Sequence, residues 1–418
     1  MEGCKQHTHC CIVGAGPAGM LLALLLVRQG IAVTLLEAQH DFDRPFRGNT
    51  LNPAVLGIMR QLDLLDPLLG LRHAKIERFA VQTDAGPLVF ADFARLRTAT
   101  PYVMMLPQAS FLNLLLREAQ RYPQFRFVPG ARVEEFLQED ATVRGVRYRS
   151  ADGWHDLHAT LTIGADGRFS RVRRLAQLEP ISAAAPIDVL WFMLPRAVTD
   201  PDDAGASFRF GPRCLLVLMD HFDHWQIGYI LPKGSYGDLK ARGIAAFQQR
   251  IAAIAPELAD RVAQITDWKQ CSLLSVESNR VRRWHRPGLL LLGDAAHTMS
   301  PVGGVGINMA IQDAVAAANL LAAPLAAGHV SSAVLAAVQR QRAWPTRVIQ
   351  TAQAFAQQFV VARALGSDQP FQLPWLLRLA LRVSWLQAIP SRLIAFGPRA
   401  TALANTASTD ALPHTAPL

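Results

Sequence analysis

The chain is poor in charge, in cysteine and in long apolar runs. Of its 418 residues, 18% are charged and 50% are hydrophobic, whereas about 25% are charged in typical globular domains. Such an apolar composition excludes intrinsic disorder, and the length predicts about two or three packing units. Lys and Arg number 42 against 33 Asp and Glu, a net charge of +9. This excess fits an anionic cofactor, an acidic substrate, nucleic acid or an anionic membrane surface.

Disulfides, metal clusters and membrane spans are not expected. The cysteines are odd in number and lack CxxC spacing, which predicts reduced thiols. The His7-to-Cys11 segment (HTHCC) lacks the ligand spacing of a metal site. The longest uninterrupted apolar run, residues 20–27, is shorter than the ~20 residues of a membrane span, and the N-terminal residues do not have a signal-peptide pattern. We therefore expect a cytoplasmic protein.

A glycine-rich turn near the N-terminus predicts a dinucleotide site. Residues 14–19 read GAGPAG, between a strand predicted over 9–13 and a helix predicted over 17–29 that ends at Gly30. In such a turn the first glycine permits the bend, the second lets the backbone approach a pyrophosphate, and the third lets helix pack on strand. A second strand, over 31–37, ends at Glu37, whose carboxylate can bind ribose hydroxyls. An acid here favours FAD or NAD over NADP.

Two further motifs follow apolar strands. Residues 164–173 read GADGRFSRVR, and residues 293–297 read GDAAH, followed by PVGGVGIN at 301–308. With these three motifs in this order, residues 8–350 resemble the FAD-dependent aromatic hydroxylases, the flavoprotein monooxygenases typified by p-hydroxybenzoate hydroxylase and the ubiquinone-biosynthesis hydroxylases. One departure is Val305, which stands where many relatives place a polar residue.

The chemistry of the third motif supports the resemblance. A carboxylate at Asp294 can bind a ribityl hydroxyl, and the glycines after Pro301 let the backbone lie against the isoalloxazine ring. A helix predicted over Ile307–Leu321, stopping before Pro324, directs its positive end at the pyrimidine edge.

The resemblance also implies roles for individual residues. It places the backbone of Val133 near the adenine and links Asp166 and Gly167 to both FAD and the nicotinamide. It places Arg47 near the pyrophosphate and flavin. The catalytic residue is unknown, because the flavin carries the chemistry, and Arg47 and Pro301 are the candidates near the flavin. The implied cofactor-binding residues are Gly14, Gly16, Pro17, Ala18, Gly19, Glu37, Arg47, Gln108, Val133, Asp166, Gly167, Gly293, Asp294, Pro301, Gly304, Gly306, Ile307 and Asn308.

The expected fold is α/β (α+β), with a Rossmann-like FAD-binding domain interleaved with an antiparallel substrate domain. The first domain takes residues 1–75, 107–180 and 276–360, and the second takes 76–106 and 181–275. A helical segment over 361–400 and a disordered tail over 401–418 complete the prediction. Aromatic residues on the antiparallel strands are expected to line a pocket for a planar, fairly apolar substrate: Trp191, Phe208, Phe210, Trp225 and Tyr229.

The resemblance implies that NAD(P)H reduces FAD and that O₂ then forms a flavin hydroperoxide, which hydroxylates an aromatic or polycyclic small molecule. Arg168 and Arg173 either supply charge for the nicotinamide or lie on a solvated face. A reductase or halogenase on the same scaffold, or a flavin protein without turnover, stays open. The Trp-x-Trp-x-Ile-Pro signature of flavin halogenases does not occur.

Most of the basic excess lies near the C-terminus. Residues 336–400 hold eight arginines and one acid, Asp368, a net charge of +7. A helix predicted over 374–386 there either packs on the core, which we favour, or lies on an anionic membrane. Because glycine turns and a helix end meet the FAD phosphates, we expect no nucleic acid partner.

Overall fold

The computed structural model describes residues 6–43, 50–83, 86–183, 185–197, 200, 205–221, 223–361, 365–366 and 384–404. Two large sheets dominate these residues, one mostly parallel and one mostly antiparallel, which confirms the predicted α/β (α+β) class. The strands are β1 (Gln6–Val13), β2 (Val33–Glu37), β3 (Thr50–Leu51), β4 (Ala74–Ile76), β5 (Arg78–Thr83), β6 (Gly86–Asp92), β7 (Val103–Met105), β8 (Phe125–Pro129), β9 (Arg132–Glu139), β10 (Thr142–Ser150), β11 (Gly153–Gly164), β12 (Pro180–Ala183), β13 (Ile187–Pro195), β14 (Gly205–Gly211), β15 (Cys214–His221), β16 (His224–Pro232), β17 (Ser272–Ser275), β18 (Ser278–Val281), β19 (His285–Arg286), β20 (Leu289–Leu291) and β21 (His297–Thr298).

The helices alternate with these strands mainly in the first and last parts of the chain. They are α1 (Pro17–Val27), α2 (Pro53–Gln61), α3 (Leu65–Leu69), α4 (Gln108–Ala119), α5 (Arg171–Leu175), α6 (Tyr236–Ala241), α7 (Ile244–Ile254), α8 (Gly306–Ala326), α9 (Ser332–Ala356) and α10 (Ser384–Phe396). Short 3₁₀ turns cover 293–295 and 302–304.

The first sheet has the order β19-β20-β11-β1-β2-β8. The pairs β20–β11, β11–β1, β1–β2 and β2–β8 are all parallel, and β9 and β10 extend β11 as an antiparallel ribbon. Every residue of α1 from Ala18 to Val27 is buried, because this helix lies between the sheet, α4 and α8. A helix that is apolar on all sides belongs in a core, so α1 fixes the centre of this unit.

The second sheet has the order β17-β13-β16-β15-β14-β5-β6 and presents two apolar faces. One face packs on α6 and α7 through residues such as Leu190 and Ile227 against Phe247. The other carries Val217 and Ile230 and contacts Val302 of the 301–305 loop. Strands β5 and β6 join this sheet from an early part of the chain, as the predicted interleaving requires.

Helix α8 is longer than predicted. It runs through Pro324 to Ala326 instead of stopping before the proline. The proline has no backbone N–H, and the helix ends two residues after it; its carbonyl accepts the N–H of His329 at 3.1 Å.

Residues 302–326 match a membrane span by length and composition, which differs from the expectation that no segment does. An 18-residue window within this segment has a mean hydropathy of 1.4, yet 72% of that window is buried inside the protein. It also carries Asp313, which forms a fully buried ion pair with Arg342. Burial and an internal ion pair are features of a core helix, and α8 packs between α1 and α9.

The described part of the C-terminal region packs on the core. Helix α10 contacts β6, and the Asp92 N–H donates to Ser391 Oγ at 2.9 Å. The helix predicted over 374–386 falls largely outside the described residues. Of the tail predicted to be disordered, residues 401–404 are instead hydrogen-bonded, with the Leu403 N–H donating to Gln61 Oε1 at 3.2 Å. Composition alone missed this short segment because its polar partners lie far away in sequence.

Candidate active site

The three sequence motifs meet at one edge of the parallel sheet. Their strands β1, β11 and β20 are neighbours, with Val13 in register with Gly164 and Gly164 in register with Leu291. The motifs begin where these strands end. Because parallel strands end at the same edge, the sheet brings together residues nearly 300 positions apart, in the crevice where open α/β sheets bind ligands.

Two glycines of the first motif are required by close packing. Gly14 has a φ of +100°, and a Cβ there would lie 2.5 Å from the Ala165 carbonyl oxygen. A Cβ on Gly19 would overlap the Gly14 carbonyl oxygen. At Gly293, which has a φ of +58°, a Cβ would lie 3.1 Å from the Cβ of Ala310 and 3.4 Å from the Cβ of Ala18. The first and third motifs therefore lie close together.

Gly16 has a different environment. Its φ is −69°, and a Cβ built on it meets no atom within 4 Å. No side chain caps α1, and its first turn contains no acid. The helix end therefore offers backbone N–H groups and a positive dipole to open space, which fits the pyrophosphate of FAD.

Glu37 is fixed at the same edge of the sheet. Its carboxylate accepts the N–H of Ala15 at 2.8 Å and that of Gln39 at 3.0 Å. Gln108 begins α4, and the backbone of Val133 lies in β9 opposite Tyr148. The contacts of Glu37 with the ribose, of Gln108 with FAD and of Val133 with the adenine stay predictions. Arg47 lies outside the described residues.

The loop after Pro301 is held by polar side chains from two other segments. Gly303 and Gly304 have φ values of +80° and +61°. The Gly304 carbonyl accepts hydrogen bonds from Thr50 Oγ1 and Asn308 Nδ2, both at 3.0 Å. The Asn308 amide oxygen in turn accepts the N–H of Asn52 at 2.8 Å. The Asn308 side chain thus shapes the loop through these bonds.

Helix α8 starts directly after this loop. Gly306 and Ile307 form its first turn, which has no side-chain cap and no acid. This second uncapped helix end fits the negative charge that a reduced flavin carries at its pyrimidine edge. Thr50 and Asn52 are positioning residues that the sequence motifs alone do not indicate.

In the second motif, Asp166 caps α5. Its carboxylate accepts the N–H groups of Arg171 at 2.7 Å and Val172 at 3.0 Å, and the hydroxyl of Ser170. Burial raises the pKa of the Asp166 carboxyl, and these hydrogen bonds act in the opposite direction. Gly167 follows with a φ of +79° and open space at its Cβ position. Its proposed contact with FAD or nicotinamide stays a prediction.

Arg173 is buried between the second and third motifs. It is 8% exposed, and its guanidinium donates to the carbonyl oxygens of Ala295 at 3.1 Å and Arg168 at 2.9 Å. The residue ties the second motif to the third and does not lie on a solvated face, and the supply of charge for the nicotinamide stays a prediction.

Three of the five predicted substrate residues share the sheet face that contacts the loop at 301–305 (the flavin loop). Trp191, Phe208 and Phe210 are half-buried and belong with Val302 to one apolar cluster. In the register across the sheet, Trp191 lies opposite Gly228, and a Cβ on Gly228 would lie 2.9 Å from the Trp191 ring.

The prediction is wrong for Trp225 and Tyr229. They are 7% and 1% exposed and face α7, on the opposite side of the sheet. The indole N–H of Trp225 donates to Asp200 at 2.7 Å, and the Tyr229 ring packs edge-on against Phe247. The sequence shows alternation along a strand, but only the cross-strand register shows which set faces the flavin loop.

Among the described residues, no group of three or more His, Cys, Asp or Glu side chains is arranged to hold a metal ion. The two uncapped helix ends, the open space at Gly16 and the fixed carboxylate of Glu37 fit FAD.

Comparisons with known proteins agree with this geometry. The family model described as FAD binding domain matches residues 7–352. The chain is 39% identical to 6-methylpretetramide 4-monooxygenase of Streptomyces rimosus, over 80% of each chain. It is 27% identical to 3-demethoxyubiquinol 3-hydroxylase of Escherichia coli, over 76% of this chain and 80% of that protein.

Solved structures share the fold. The crystal structure of PqsL, a probable FAD-dependent monooxygenase from Pseudomonas aeruginosa, superimposes with a TM-score of 0.73 at 23% identity, covering 86% of this chain and 99% of that one. The chain therefore belongs to the FAD-dependent aromatic hydroxylase family of flavoprotein monooxygenases.

Proposed function

We propose that this FAD-dependent monooxygenase hydroxylates a fused-ring phenol held between the apolar face of the second sheet and the loop at 301–305. The relative at 39% identity is named for a pretetramide substrate, which supports a multi-ring compound over a single ring. In the overall reaction, NAD(P)H, a proton, O₂ and the phenol give NAD(P)⁺, water and the hydroxylated phenol. We expect the enzyme to act in the cytoplasm.

The observation that carries this proposal is an apolar row across the sheet. Trp191, Gly228, Val217 and Phe208 lie side by side on four neighbouring strands, in register. Four strands span about 14 Å at ~4.8 Å spacing, so the row extends well beyond the width of one aromatic ring. Its two ends are aromatic and its middle is small, which suits a flat apolar molecule.

The protein's contribution is placement and exclusion of water. FAD, when bound, accepts a hydride from the nicotinamide and activates O₂ for oxygen transfer. The glycine turn at 14–19 and the end of α1 would hold the pyrophosphate, and Asp294 would bind the ribityl chain. The 301–305 loop would lie beside the flavin ring and border the substrate face, where Val302 packs on the apolar cluster. A dry contact of this kind protects the reaction from water.

Turnover with a graded set of phenols tests the proposal. The purified holoenzyme is given NADH or NADPH with one-ring, two-ring and four-ring phenols, and nicotinamide oxidation is followed by absorbance. We expect four-ring phenols to stimulate oxidation most, with a product that gains one oxygen atom from ¹⁸O₂. Stimulation by one-ring phenols alone would refute the substrate class and keep the monooxygenase. Bound FAD that neither nicotinamide reduces would favour a flavin protein without turnover.

A pair of variants tests the position of the substrate. Trp191→Ala removes an aromatic end of the row, and loss of one aromatic contact predicts a KM about tenfold higher with the best substrate. Trp225→Phe, on the opposite face, is the matched control: it loses the bond to Asp200 and about 1–2 kcal/mol of stability but keeps KM. If Trp225→Phe raises KM as much as Trp191→Ala, the assigned face is wrong.

A further inference from the structure

The backbone turn at 293–295 is held from two sides by buried charged residues. The Gly293 N–H donates to Asp313 Oδ2 at 3.2 Å. On the other side, Arg173 Nη1 donates to the carbonyl oxygens of Asp294 and Ala295, at 3.4 and 3.1 Å. This turn carries the Asp294 carboxylate, so the position of that group depends on both charges.

Asp313 lies inside the protein, on α8. Its side chain is fully buried, and its Oδ2 accepts a second bond from His297 Nε2 at 2.6 Å. Its Oδ1 accepts from Arg342 Nε, also at 2.6 Å. Burial by itself raises the pKa of Asp313, but His297 and Arg342 hold it below its ordinary value. The Gly293 N–H therefore donates to an ionised carboxylate, which is the stronger kind of hydrogen bond.

Arg342 connects this carboxylate to the C-terminal segment. It projects from α9, is 1% exposed, and donates through Nη1 to Thr401 Oγ1 at 3.1 Å. Arg342 Nη2 lies 3.5 Å from the Met309 carbonyl oxygen. A buried guanidinium needs acceptors beyond its partner carboxylate. Thr401 supplies one from a part of the chain well beyond residue 352, where the family match ends.

The segment that carries Thr401 is anchored to α8 and to the end of α2. Asn319 Nδ2 donates to the Ala402 carbonyl at 2.9 Å, and the Ala404 N–H donates back to Asn319 Oδ1 at 3.1 Å. With the bond from Leu403 to Gln61, these contacts fix residues 401–404 against the FAD-binding unit.

We propose that Asp313 is a positioning residue for FAD, and that Arg342 and Thr401 keep its carboxylate charged and in place. A series of hydrogen bonds connects Thr401 to Arg342, Arg342 to Asp313, and Asp313 to the backbone N–H of Gly293. Gly293 directly precedes Asp294 in the chain. The C-terminal segment then contributes to how tightly FAD binds, although none of its described residues belongs to a flavin motif. This inference concerns FAD binding and does not depend on the identity of the substrate.

The first test compares two buried aspartates. Asp313→Asn keeps the shape of the side chain and removes its charge. We expect the apoprotein to fold, its Kd for FAD to rise about tenfold or more, and the visible circular dichroism of bound FAD to change. Asp200→Asn is the matched control, because Asp200 forms a similar buried pair with Arg261 beneath the second sheet. It should lower the melting temperature of the apoprotein and leave both FAD readouts unchanged.

A second pair of variants decides the matter if Asp313→Asn does not fold. Thr401→Val keeps the volume and removes the acceptor, whereas Thr401→Ser keeps the hydroxyl. We expect the valine variant to bind FAD several-fold more weakly and the serine variant to bind it like the parent enzyme. An unchanged Kd in the folded valine variant would overturn the proposal. So would an equal rise in Kd for Asp200→Asn, because it would show a general effect of lost stability.

Discussion

Gly16→Ala should separate FAD binding from folding. A methyl group at this position meets no protein atom within 4 Å, and the residue has a φ of −69°, which alanine adopts without strain. Glycine-to-alanine changes at compatible positions stabilise proteins by about 0.4–1 kcal/mol, because the unfolded chain loses freedom. The apoprotein should therefore melt at the same temperature as the parent or slightly above it.

If the pyrophosphate binds at this turn as proposed, the same methyl group occupies space that it needs. A hydrogen bond from a backbone N–H to a charged group is worth about 1.5–3 kcal/mol, so losing one weakens FAD binding roughly 10- to 150-fold. Titration of apoprotein with FAD, followed by quenching of flavin fluorescence, measures this change.

Gly30→Ala provides the opposite control. Gly30 has a φ of +80° and open space around it, so alanine there costs about 1–2 kcal/mol of stability through backbone strain alone. It lies at the far end of α1 and should leave the Kd for FAD unchanged. If the folded Gly16→Ala protein binds FAD within twofold of the parent, the phosphates do not lie at this turn and the site assignment fails.

Three further outcomes follow from the packing. Gly19→Ala should cost about 3 kcal/mol or prevent folding, since its Cβ would overlap a backbone carbonyl of the turn; chemical denaturation of the apoprotein measures this. Asn308→Asp loses both amide donors, to Thr50 and Gly304, and should cost about 2 kcal/mol and raise the Kd for FAD, whereas unchanged values would remove its role in the loop. Burial raises the pKa of the Cys271 thiol from 9.0 to about 11. The contribution of this thiol to the free energy of unfolding is therefore fully present below about pH 9 and is lost as the pH rises to 11. Alkylation at pH 8, read by mass spectrometry, should be slow at Cys271.

The backbone of the cofactor site was predictable because it is encoded locally. Gly14 and Gly19 are required by a turn that forms between adjacent elements, and their spacing is visible in the sequence. The apolar runs before the second and third motifs indicated strands, and the order of the motifs placed them in one sheet. The structure confirms this placement through the register of Val13, Gly164 and Leu291.

Side-chain partners across the sheet were not predictable in the same way. Trp191 and Trp225 have similar sequence contexts, yet one faces the flavin loop and the other faces α7, because β13 and β16 pair with Trp191 opposite Gly228. For Arg173 a solvated face and a charge for the nicotinamide were both open, but the side chain is buried and two of its acceptors are carbonyl groups about 120 residues later. Such long-range pairs leave no periodic pattern in a single sequence.

The position of α8 has a consequence for synthesis of the chain on the ribosome. The fully apolar helix α1 is covered by α8, and Val27 and Gly306 are 279 residues apart in sequence. At about 5–20 residues per second, α1 emerges roughly 15 to 55 s before its cover is made. During that interval α1 is an aggregation-prone segment and a natural target for chaperones. The predicted FAD site is incomplete on the nascent chain until the third motif, at residues 293–308, has left the ribosomal exit tunnel.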